Sequence, residues 1–458
     1  MDKILGLHSG ALTEKIMQLT ENASLNHALL ISICTPQFKG DEAAESLAEL
    51  GRLVTTLGFK VVGTQSQMQS SGQKQNVLGS GKLAEIAHLT GNKGLFEEED
   101  FSDETDFAEL PTEELPFSCA DVVVFDCDLS PSQQRNVENQ LGVEVFDRTG
   151  IIIEIFSRHA RTRTARLQVE IARLNYLAPR LRDSTIGNKE RQMGKGAGET
   201  TLELDRRKVR DQLAELRRDL ASVQDEMKGR RTQRSEIFCV ALVGYTNAGK
   251  SSMMRAITGS EVLVENKLFA TLDTTVRALH PVTQPRILVS DTVGFIKKLP
   301  HDLVASFHST LAEAHDASLL LYVVDASDST FRAQLDVVHE VLEEVGVEGI
   351  KKLLVLNKSD QLNTEQQQAL MEEFPDAMMT STRNPLDITK LHKYIVGAAE
   401  HDMIEDEIIV PYTAKGIIGE IRSSMSVTKE EYEYSHIKFN VRSNAIDLAR
   451  LKKRMLNL

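Results

Sequence analysis

Cysteine is scarce in this chain, and long apolar runs are missing from it. The 458 residues include 4 cysteines, at positions 34, 119, 127 and 239, without the paired spacing of a zinc site, which indicates reduced thiols in a cytosolic compartment. No apolar run approaches the roughly 18 residues of a membrane span, although a peripheral membrane visit stays open. Residues 1–4 open neither a signal peptide nor a transit peptide. We therefore expect a cytoplasmic protein.

Basic residues are missing locally rather than overall. Residues 95–118 contain 10 Asp/Glu and no Lys/Arg, a pattern typical of a solvated insertion or flexible loop. Residues 148–234 hold 21 Lys/Arg against 12 Asp/Glu, so the net charge of −14 does not exclude a nucleic-acid partner. The composition, 41% hydrophobic and 26% charged, together with the length predicts a soluble protein of about three domains.

A glycine-containing loop follows the β-prone run at residues 238–243 and leads into a helix predicted to begin near Lys250. Backbone N–H groups of such a loop, with the helix N-terminus, surround phosphate oxygens. Lys250 would reach the β- and γ-phosphates, Ser251 would bind Mg²⁺, and Ser252 would lie near the α-phosphate. The residues predicted to contact the nucleotide here are Gly244, Tyr245, Thr246, Asn247, Ala248, Gly249, Lys250, Ser251 and Ser252.

Two further motifs identify the γ-phosphate sensor and the base. Asp291 ends the predicted strand 287–290 and can hold Mg²⁺ through a water, while the Gly294 N–H can meet the γ-phosphate. Lys250 and Gly294 are therefore the candidate catalytic residues.

Asn357, Lys358 and Asp360 follow the predicted strand 353–356. The Asp360 carboxylate can accept two hydrogen bonds from guanine N1–H and the 2-amino group, whereas adenine offers neither. Lys358 would lie along the base plane. Ser381 and Thr382 are a weaker match to the loop that meets guanine O6. The three motifs in this order predict a GTP site.

The segment 268–275 must supply a Mg²⁺-binding threonine. We favour Thr271, with Thr274 and Thr275 as alternatives. For at least two of these three threonines, a position in a loop or an edge strand is a sufficient explanation without Mg²⁺ binding. Phe295 follows Gly294, where many GTPases place a water-orienting glutamine. A phenyl ring cannot orient water, so we expect slow intrinsic hydrolysis completed by a partner or an ion. Asn247 either binds K⁺ for this purpose or caps the loop.

Before this region, strands predicted at 28–34, 121–126 and 143–146 alternate with helices, as in a small parallel α/β domain. Residues 79–82 (Gly-Ser-Gly-Lys) either cap a helix or form a second nucleotide site.

Heptad-spaced apolar residues then predict an antiparallel helical hairpin with its tip at 183–198. The seams are Leu167, Ile171, Leu174, Ala178 and Leu181 on the first helix and Val209, Leu213, Leu216, Leu220, Val223 and Met227 on the second. The tip carries Lys189, Arg191 and Lys195, which are candidate RNA contacts or an ordinary solvated face.

The segments 126–136, 158–162, 198–207 and 268–273 resemble those of HflX-type GTPases of the Obg-HflX-like superfamily, and the resemblance runs from about residue 25 to 458. It implies a ribosome-associated GTPase that binds the 50S subunit and its 23S rRNA and splits stalled or idle 70S ribosomes under stress. Some members also hydrolyse ATP through the N-terminal domain. The sequence departs from the family in a tip poorer in glycine, in Thr201 where glutamine is common, and in the acidic segment 97–114.

We therefore expect an α/β protein: an N-terminal α/β subdomain at 1–157 with the insertion near 97–114, the hairpin at 158–235, a P-loop GTPase domain at 236–402 and a small α+β domain at 403–458. Ribosome splitting timed by GTP hydrolysis is the favoured function, in a monomer with Mg²⁺ as cofactor. A tRNA-modifying GTPase, a subunit-assembly GTPase and a non-catalytic scaffold are the alternatives.

Overall fold

The computed structural model covers the chain with gaps. It describes residues 27–34, 40–68, 77–91, 119–181, 201–232, 237–259, 268–269, 275–298, 313–401 and 403–455. The acidic segment 97–114, the tip residues Lys189, Arg191 and Lys195, and the threonines Thr271 and Thr274 lie outside these ranges. The chain divides into two compact units, one of residues 1–158 and 169–217 and one of residues 159–168 and 218–458.

The first unit is built on a four-stranded parallel sheet of order β2-β1-β3-β4. Its strands are β1 (His27–Cys34), β2 (Lys60–Met68), β3 (Val122–Phe125) and β4 (Glu144–Asp147). Helices α1 (Gly40–Thr56), α2 (Ser80–Leu89) and α3 (Pro131–Leu141) alternate with them. All four residues of β3 are buried, as a central parallel strand requires. The small parallel α/β domain is confirmed.

The start of α3 shows why the sequence folds here as it does. Ser130 accepts a hydrogen bond from the Gln133 N–H, the Gln133 side chain accepts one from the Ser130 N–H, and Pro131 takes the first helical position. This reciprocal cap satisfies two N–H groups that the helix leaves open. Gly79 precedes α2 and Lys82 contacts Gln65 (2.6 Å) and Glu85 (2.8 Å), which agrees with the helix-capping interpretation of residues 79–82.

A buried ion network lies at the carboxyl edge of β3 and β4. The Arg148 guanidinium donates to Asp126, at 2.7 Å, and to Glu49 on α1. Ser46 donates to the other Asp126 oxygen at 2.5 Å. Burial by itself lowers the pKa of Arg148, but the two carboxylates raise it above its ordinary value. The network therefore fixes a charged guanidinium inside the first unit.

Three helices follow the sheet, α4 (Arg148–His159), α5 (Arg163–Leu181) and α6 (Thr201–Thr232). Tyr176 and Arg180 of α5 donate hydrogen bonds to the Asp147 carboxylate, both at 2.7 Å, so the second half of α5 packs on the N-terminal sheet. Burial raises the pKa of Asp147, and the charge of Arg180 opposes it.

On α6 the predicted seam residues from Val209 to Val223 are half-buried on an otherwise largely exposed helix. An ion pair of 4.0 Å joins Arg163, at the start of α5, to Asp219 of α6, which agrees with an antiparallel arrangement of these helices.

A six-stranded sheet of order β10-β9-β8-β5-β7-β6 forms the centre of the second unit. Its strands are β5 (Phe238–Val243), β6 (Thr275–Ala278), β7 (Ile287–Asp291), β8 (Leu319–Asp325), β9 (Lys351–Asn357) and β10 (Met378–Met379). Helices α7 (Lys250–Thr258), α8 (Phe331–Glu344), α9 (Thr364–Glu373) and α10 (Pro385–His401) accompany them, with a short 3₁₀ turn at Ser359–Gln361. Only the edge strand β6, among these strands, runs antiparallel to its neighbour. The loops after β5, β7, β8 and β9 therefore leave from one edge.

The C-terminal residues form the predicted α+β domain. Strands β11 (Ile404–Pro411), β12 (Ser426–Tyr432) and β13 (His436–Ser443) form an antiparallel sheet of order β11-β13-β12. Helices α11 (Lys415–Ser424) and α12 (Ala445–Met455) bury one face of it, around Phe439. Across the described ranges, no helix combines the length and the apolar character that a bilayer crossing needs.

Candidate nucleotide-binding site

The loop between β5 and α7 is shaped by two glycines. Gly244 has φ +153°, and a Cβ there would lie 2.1 Å from the Val323 carbonyl oxygen. Gly249 has φ +97°, and its Cβ would lie 2.3 Å from Asn357 Nδ2. No other residue type fits either position without displacing backbone or the Asn357 amide. The loop is thus clamped between β8 and the residue that ends β9.

Lys250 begins α7 and is buried within the loop. Its Nζ donates to the carbonyl oxygens of Gly244 (2.9 Å) and Tyr245 (2.7 Å). Burial lowers the pKa of Lys250 to about 8, while the charge of Asp291 acts in the opposite direction. A bound phosphate chain would supply the negative charge that stabilises the ammonium.

Binding of GDP to the free protein is therefore expected to take up protons above neutral pH. Because phosphates raise the Lys250 pKa again, about three quarters of a proton should enter at pH 8.5 if the free pKa is about 8. Affinity should be constant well below pH 8 and fall as the pH rises through it. Calorimetry at pH 8.5 in two buffers of different ionisation enthalpy measures the uptake; equal apparent enthalpies in both buffers would contradict the expectation.

Ser251 and Asp291 lie together at the mouth of the loop. The Ser251 hydroxyl donates to Asp291 Oδ2 at 2.7 Å, and Asp291 is buried at the end of β7. A hydroxyl oxygen beside a carboxylate is a set of hard oxygen ligands, which fits Mg²⁺. Thr275 stands opposite Asp291 in the β6–β7 pairing, so this threonine belongs to an edge strand.

The segment after Asp291 is hydrogen-bonded directly to the phosphate loop. Phe295 accepts from the Thr246 N–H (2.8 Å) and donates its own N–H to Gly244 (3.2 Å), and its side chain is buried. A Cβ on Gly294 would lie 2.8 Å from Thr246 Cα and 3.1 Å from Lys250 Nζ. Gly294 therefore packs against the phosphate loop, where its N–H can donate a hydrogen bond to a γ-phosphate.

Tyr245 and Thr246 of the phosphate loop contact two segments, residues 268–269 before β6 and residues 292–298 after β7, which we call the switch segments. The Tyr245 hydroxyl accepts from the Lys297 N–H at 2.6 Å, and the Thr246 hydroxyl accepts from the Phe269 N–H at 3.1 Å. Leu268 and Phe269 are buried beside them. The phosphate loop is thus hydrogen-bonded directly to both segments, with no intermediate residue.

The residues predicted to bind the base lie at the end of β9, in the 3₁₀ turn after β9 and in the loop after β10. Asn357 Nδ2 donates to the Ala248 carbonyl oxygen at 2.8 Å and so braces the phosphate loop. Asp360 Oδ1 accepts from the Ser381 hydroxyl at 2.7 Å. This hydrogen bond is the main cause that lowers the pKa of Asp360 below its ordinary value. Asp360 is therefore ionised and can accept from guanine, and Ser381 stands beside it despite its weak motif.

Three further residues predicted to belong to the site are Asn247, Ser252 and Thr382. Asn247 is exposed with φ +61°, a conformation that asparagine tolerates better than most residues, so loop geometry alone accounts for this residue type. Ser252 and Thr382 are half-buried, in α7 and in the loop after β10. The sequence interpretation missed two contacts: Asp325 pairs with Lys358, at 2.6 Å, and Arg383 pairs with Asp360, at 3.1 Å.

Known proteins match the chain along most of its length. Family models described as GTP-binding GTPase N-terminal, GTP-binding GTPase Middle Region and 50S ribosome-binding GTPase match residues 44–97 with 108–157, 159–234 and 239–358. The GTPase HflX of Gluconacetobacter diazotrophicus is 52% identical over 93% of this chain and 97% of its own length. The GTPase HflX of Escherichia coli is 34% identical over 91% of this chain and 94% of its own.

Among solved structures, a GTP-binding protein from Sulfolobus solfataricus in complex with GDP has 22% identity and a TM-score of 0.42 over 81% of this chain and 98% of its own. The fold and the site define a P-loop GTPase, an enzyme that hydrolyses GTP. Its near full-length relatives place it more narrowly. The chain belongs to the HflX family of GTPases.

Proposed function

We propose that this GTPase binds the 50S ribosomal subunit, splits stalled or idle 70S ribosomes under stress, and leaves when GTP is hydrolysed. The observation that carries the proposal is the direct bonding of Tyr245 and Thr246 to both switch segments. A site so connected changes the conformation of its surface loops with the state of the nucleotide. The matching family model is described as a 50S ribosome-binding GTPase, which supports the choice of partner and a cytoplasmic location.

The chemistry assigned to the chain's own residues is mostly electrostatic. Lys250 would stabilise charge on the β- and γ-phosphates, and the Gly294 N–H would donate to the γ-phosphate. Phe295 offers no side-chain group to a water molecule, and its ring is buried. The water-orienting element therefore has to come from outside this residue, and the ribosome is the partner that we propose as activator.

Two cations are proposed for the site. Ser251 and the switch threonine Thr271 would hold Mg²⁺ directly, with Asp291 acting through water, and the ion would neutralise phosphate charge when bound. K⁺ at Asn247 is the alternative to the ribosome as activator, and equal GTP turnover in KCl and NaCl would exclude it.

RNA contact is proposed for the hairpin. Arg206, Arg207, Lys208 and Arg210 form an exposed basic run on α6, close in sequence to the tip residues Lys189, Arg191 and Lys195. Such residues contact phosphates of 23S rRNA in the proposal, and the affinity should fall steeply with salt.

Sedimentation of the monomeric protein with purified 50S subunits tests the switch. The non-hydrolysable GTP analogue should give much more co-sedimentation than GDP, because binding of the ribosome and of GTP must favour the same conformation. Equal co-sedimentation with the two nucleotides would refute this use of GTP. Strong binding to 50S subunits without dissociation of 70S ribosomes would instead support subunit assembly as the function.

A further inference from the structure

We propose that Asp325 is a positioning residue for guanine nucleotides, which acts by fixing the side chain of Lys358. Asp325 ends β8, outside the phosphate loop and outside the motif that reads the base. It makes its contribution through other residues and does not itself touch the nucleotide. Asp325 is proposed to act on nucleotide binding by the free protein, so the tests below do not depend on whether the ribosome is the partner.

Each oxygen of the Asp325 carboxylate has a different partner. Oδ2 accepts from Lys358 Nζ at 2.6 Å. Oδ1 accepts from the N–H and the hydroxyl of Ser327, at 3.1 and 2.6 Å. Because both oxygens are held, the carboxylate cannot rotate away from the ammonium group. The pair is partly shielded from water, with 24% of the lysine and 16% of the aspartate side chain exposed, so it is stronger than an ordinary surface ion pair.

Lys358 combines an unusual backbone conformation with a flexible side chain. Lys358 has φ +60°, in the left-handed region that non-glycine residues seldom adopt. This conformation starts the 3₁₀ turn of Ser359–Gln361, and so places Asp360. A lysine side chain has four rotatable bonds and loses much conformational freedom when it is ordered. The Asp325 pair imposes that order before the nucleotide arrives.

Three contacts join the loop after β8 to this turn. Asp325 stands opposite Asn357 in the β8–β9 pairing, and the Ala326 N–H donates to the Asn357 carbonyl oxygen at 3.0 Å. The Ser327 hydroxyl, whose single proton is shared with Asp325 Oδ1, lies 3.1 Å from Gln361 Oε1. With the Lys358 ion pair between them, these bonds hold both ends of the base-reading turn. Because these other contacts do not involve the Asp325 charge, its loss would release the Lys358 side chain and leave the turn with Asp360 in place.

Asp325 should affect only the contact that Lys358 makes with the nucleotide. Lys358 would lie along the base plane, whereas Asp360 would accept hydrogen bonds from the N1–H and the 2-amino group. Asp325→Asn should therefore raise the Kd of GDP about tenfold, as expected for loss of one partly shielded charge-assisted hydrogen bond. The Kd of inosine diphosphate, which lacks the 2-amino group, should rise by the same factor. The kcat at saturating GTP should not change.

A double-mutant cycle on the full-length protein tests this, with Kd values from calorimetry. Asp325→Asn, Lys358→Met and the double variant are compared with the wild type. In the Lys358→Met background Asp325→Asn should have no further effect. Asp328→Asn is the matched control in the same loop, since Asp328 bonds Thr330 and Gln334 instead, and its Kd for GDP should equal that of the wild type.

Three results would overturn the inference: additive effects in the cycle, an unchanged Kd in Asp325→Asn, or a changed ratio between GDP and inosine diphosphate. If Asp325→Asn does not fold, Ser327→Ala replaces it, because it keeps the charge and removes a bond that orients the carboxylate. Its Kd for GDP should rise about threefold, on the scale of one neutral hydrogen bond. An unchanged Kd there, or the same rise in the Lys358→Met background, would also overturn the inference.

Discussion

Asp360→Asn is expected to weaken GDP binding about a thousandfold, or ~4 kcal/mol, because the amide has no charge and can accept only one of the two hydrogen bonds. The carboxylate is ionised, since the Ser381 hydroxyl and Arg383 lower its pKa. Its replacement leaves an amide NH₂ facing the guanine 2-amino group, donor against donor. Calorimetry or displacement of a fluorescent GDP derivative on the full chain measures the change.

Xanthosine diphosphate is the control ligand for this variant. Its 2-oxo group accepts a hydrogen bond where guanine donates one, so it should bind Asp360→Asn more tightly than it binds the wild type. Arg383→Ala is the companion control, because the Arg383 side chain is 80% exposed and its ion pair with Asp360 should contribute little. If the Asp360→Asn protein bound GDP within tenfold of the wild type, another residue would have to read the base.

Arg148→Ala is expected to destabilise the N-terminal sheet by about 3–5 kcal/mol, because it leaves the Glu49 and Asp126 carboxylates buried without their shared cation. The Arg148 side chain is 1% exposed, and those of Glu49 and Asp126 are 7% and 2% exposed, so water reaches these carboxylates poorly. Hydrogen exchange measures the loss locally. Amides of β1 and β3 should exchange much faster than in the wild type, while those of β5 and β8 report on the other unit.

Two controls separate the buried pair from ordinary loss of a charge. Arg332→Ala removes an exposed ion pair with Glu373 and should have little effect on exchange. Arg148→Met combined with Glu49→Gln and Asp126→Asn removes all three charges and should recover part of the stability. Equal exchange of β1 in Arg148→Ala and wild type would show that the network does not stabilise this sheet.

The nucleotide site could be predicted closely because its chemistry is local in sequence. The phosphate loop, Asp291 and the Asn357 to Asp360 motif each directly follow an apolar strand, and the parallel sheet brings those strand ends together. Ser381 was harder, because only its hydroxyl contact with Asp360 identifies it. Asp325 also stands at the end of a buried strand, and this position is the feature of the sequence that could have identified it as a site residue.

The missed features depend on pairing between distant segments. Arg148 and Glu49 are 99 residues apart, and no sequence periodicity reports such an ion pair. Strand β2 was not predicted, since its sequence KVVGTQSQM is largely polar and it lies at a sheet edge. The α5 seam was interpreted as facing α6, yet this helix also buries Gln168, Val169 and Tyr176. A pattern of apolar residues shows that a face is covered but not by what.

The two glycines of the phosphate loop have a consequence for how this enzyme can diverge. A side chain at position 244 would strike the Val323 carbonyl and one at 249 the Asn357 amide, so neither position can be varied to adjust nucleotide affinity. Selection for faster or slower nucleotide exchange has to act on other residues around the site, such as Asp325 and Ser327. Related chains adapted to different nucleotide concentrations should therefore differ first at these surrounding residues and keep both glycines.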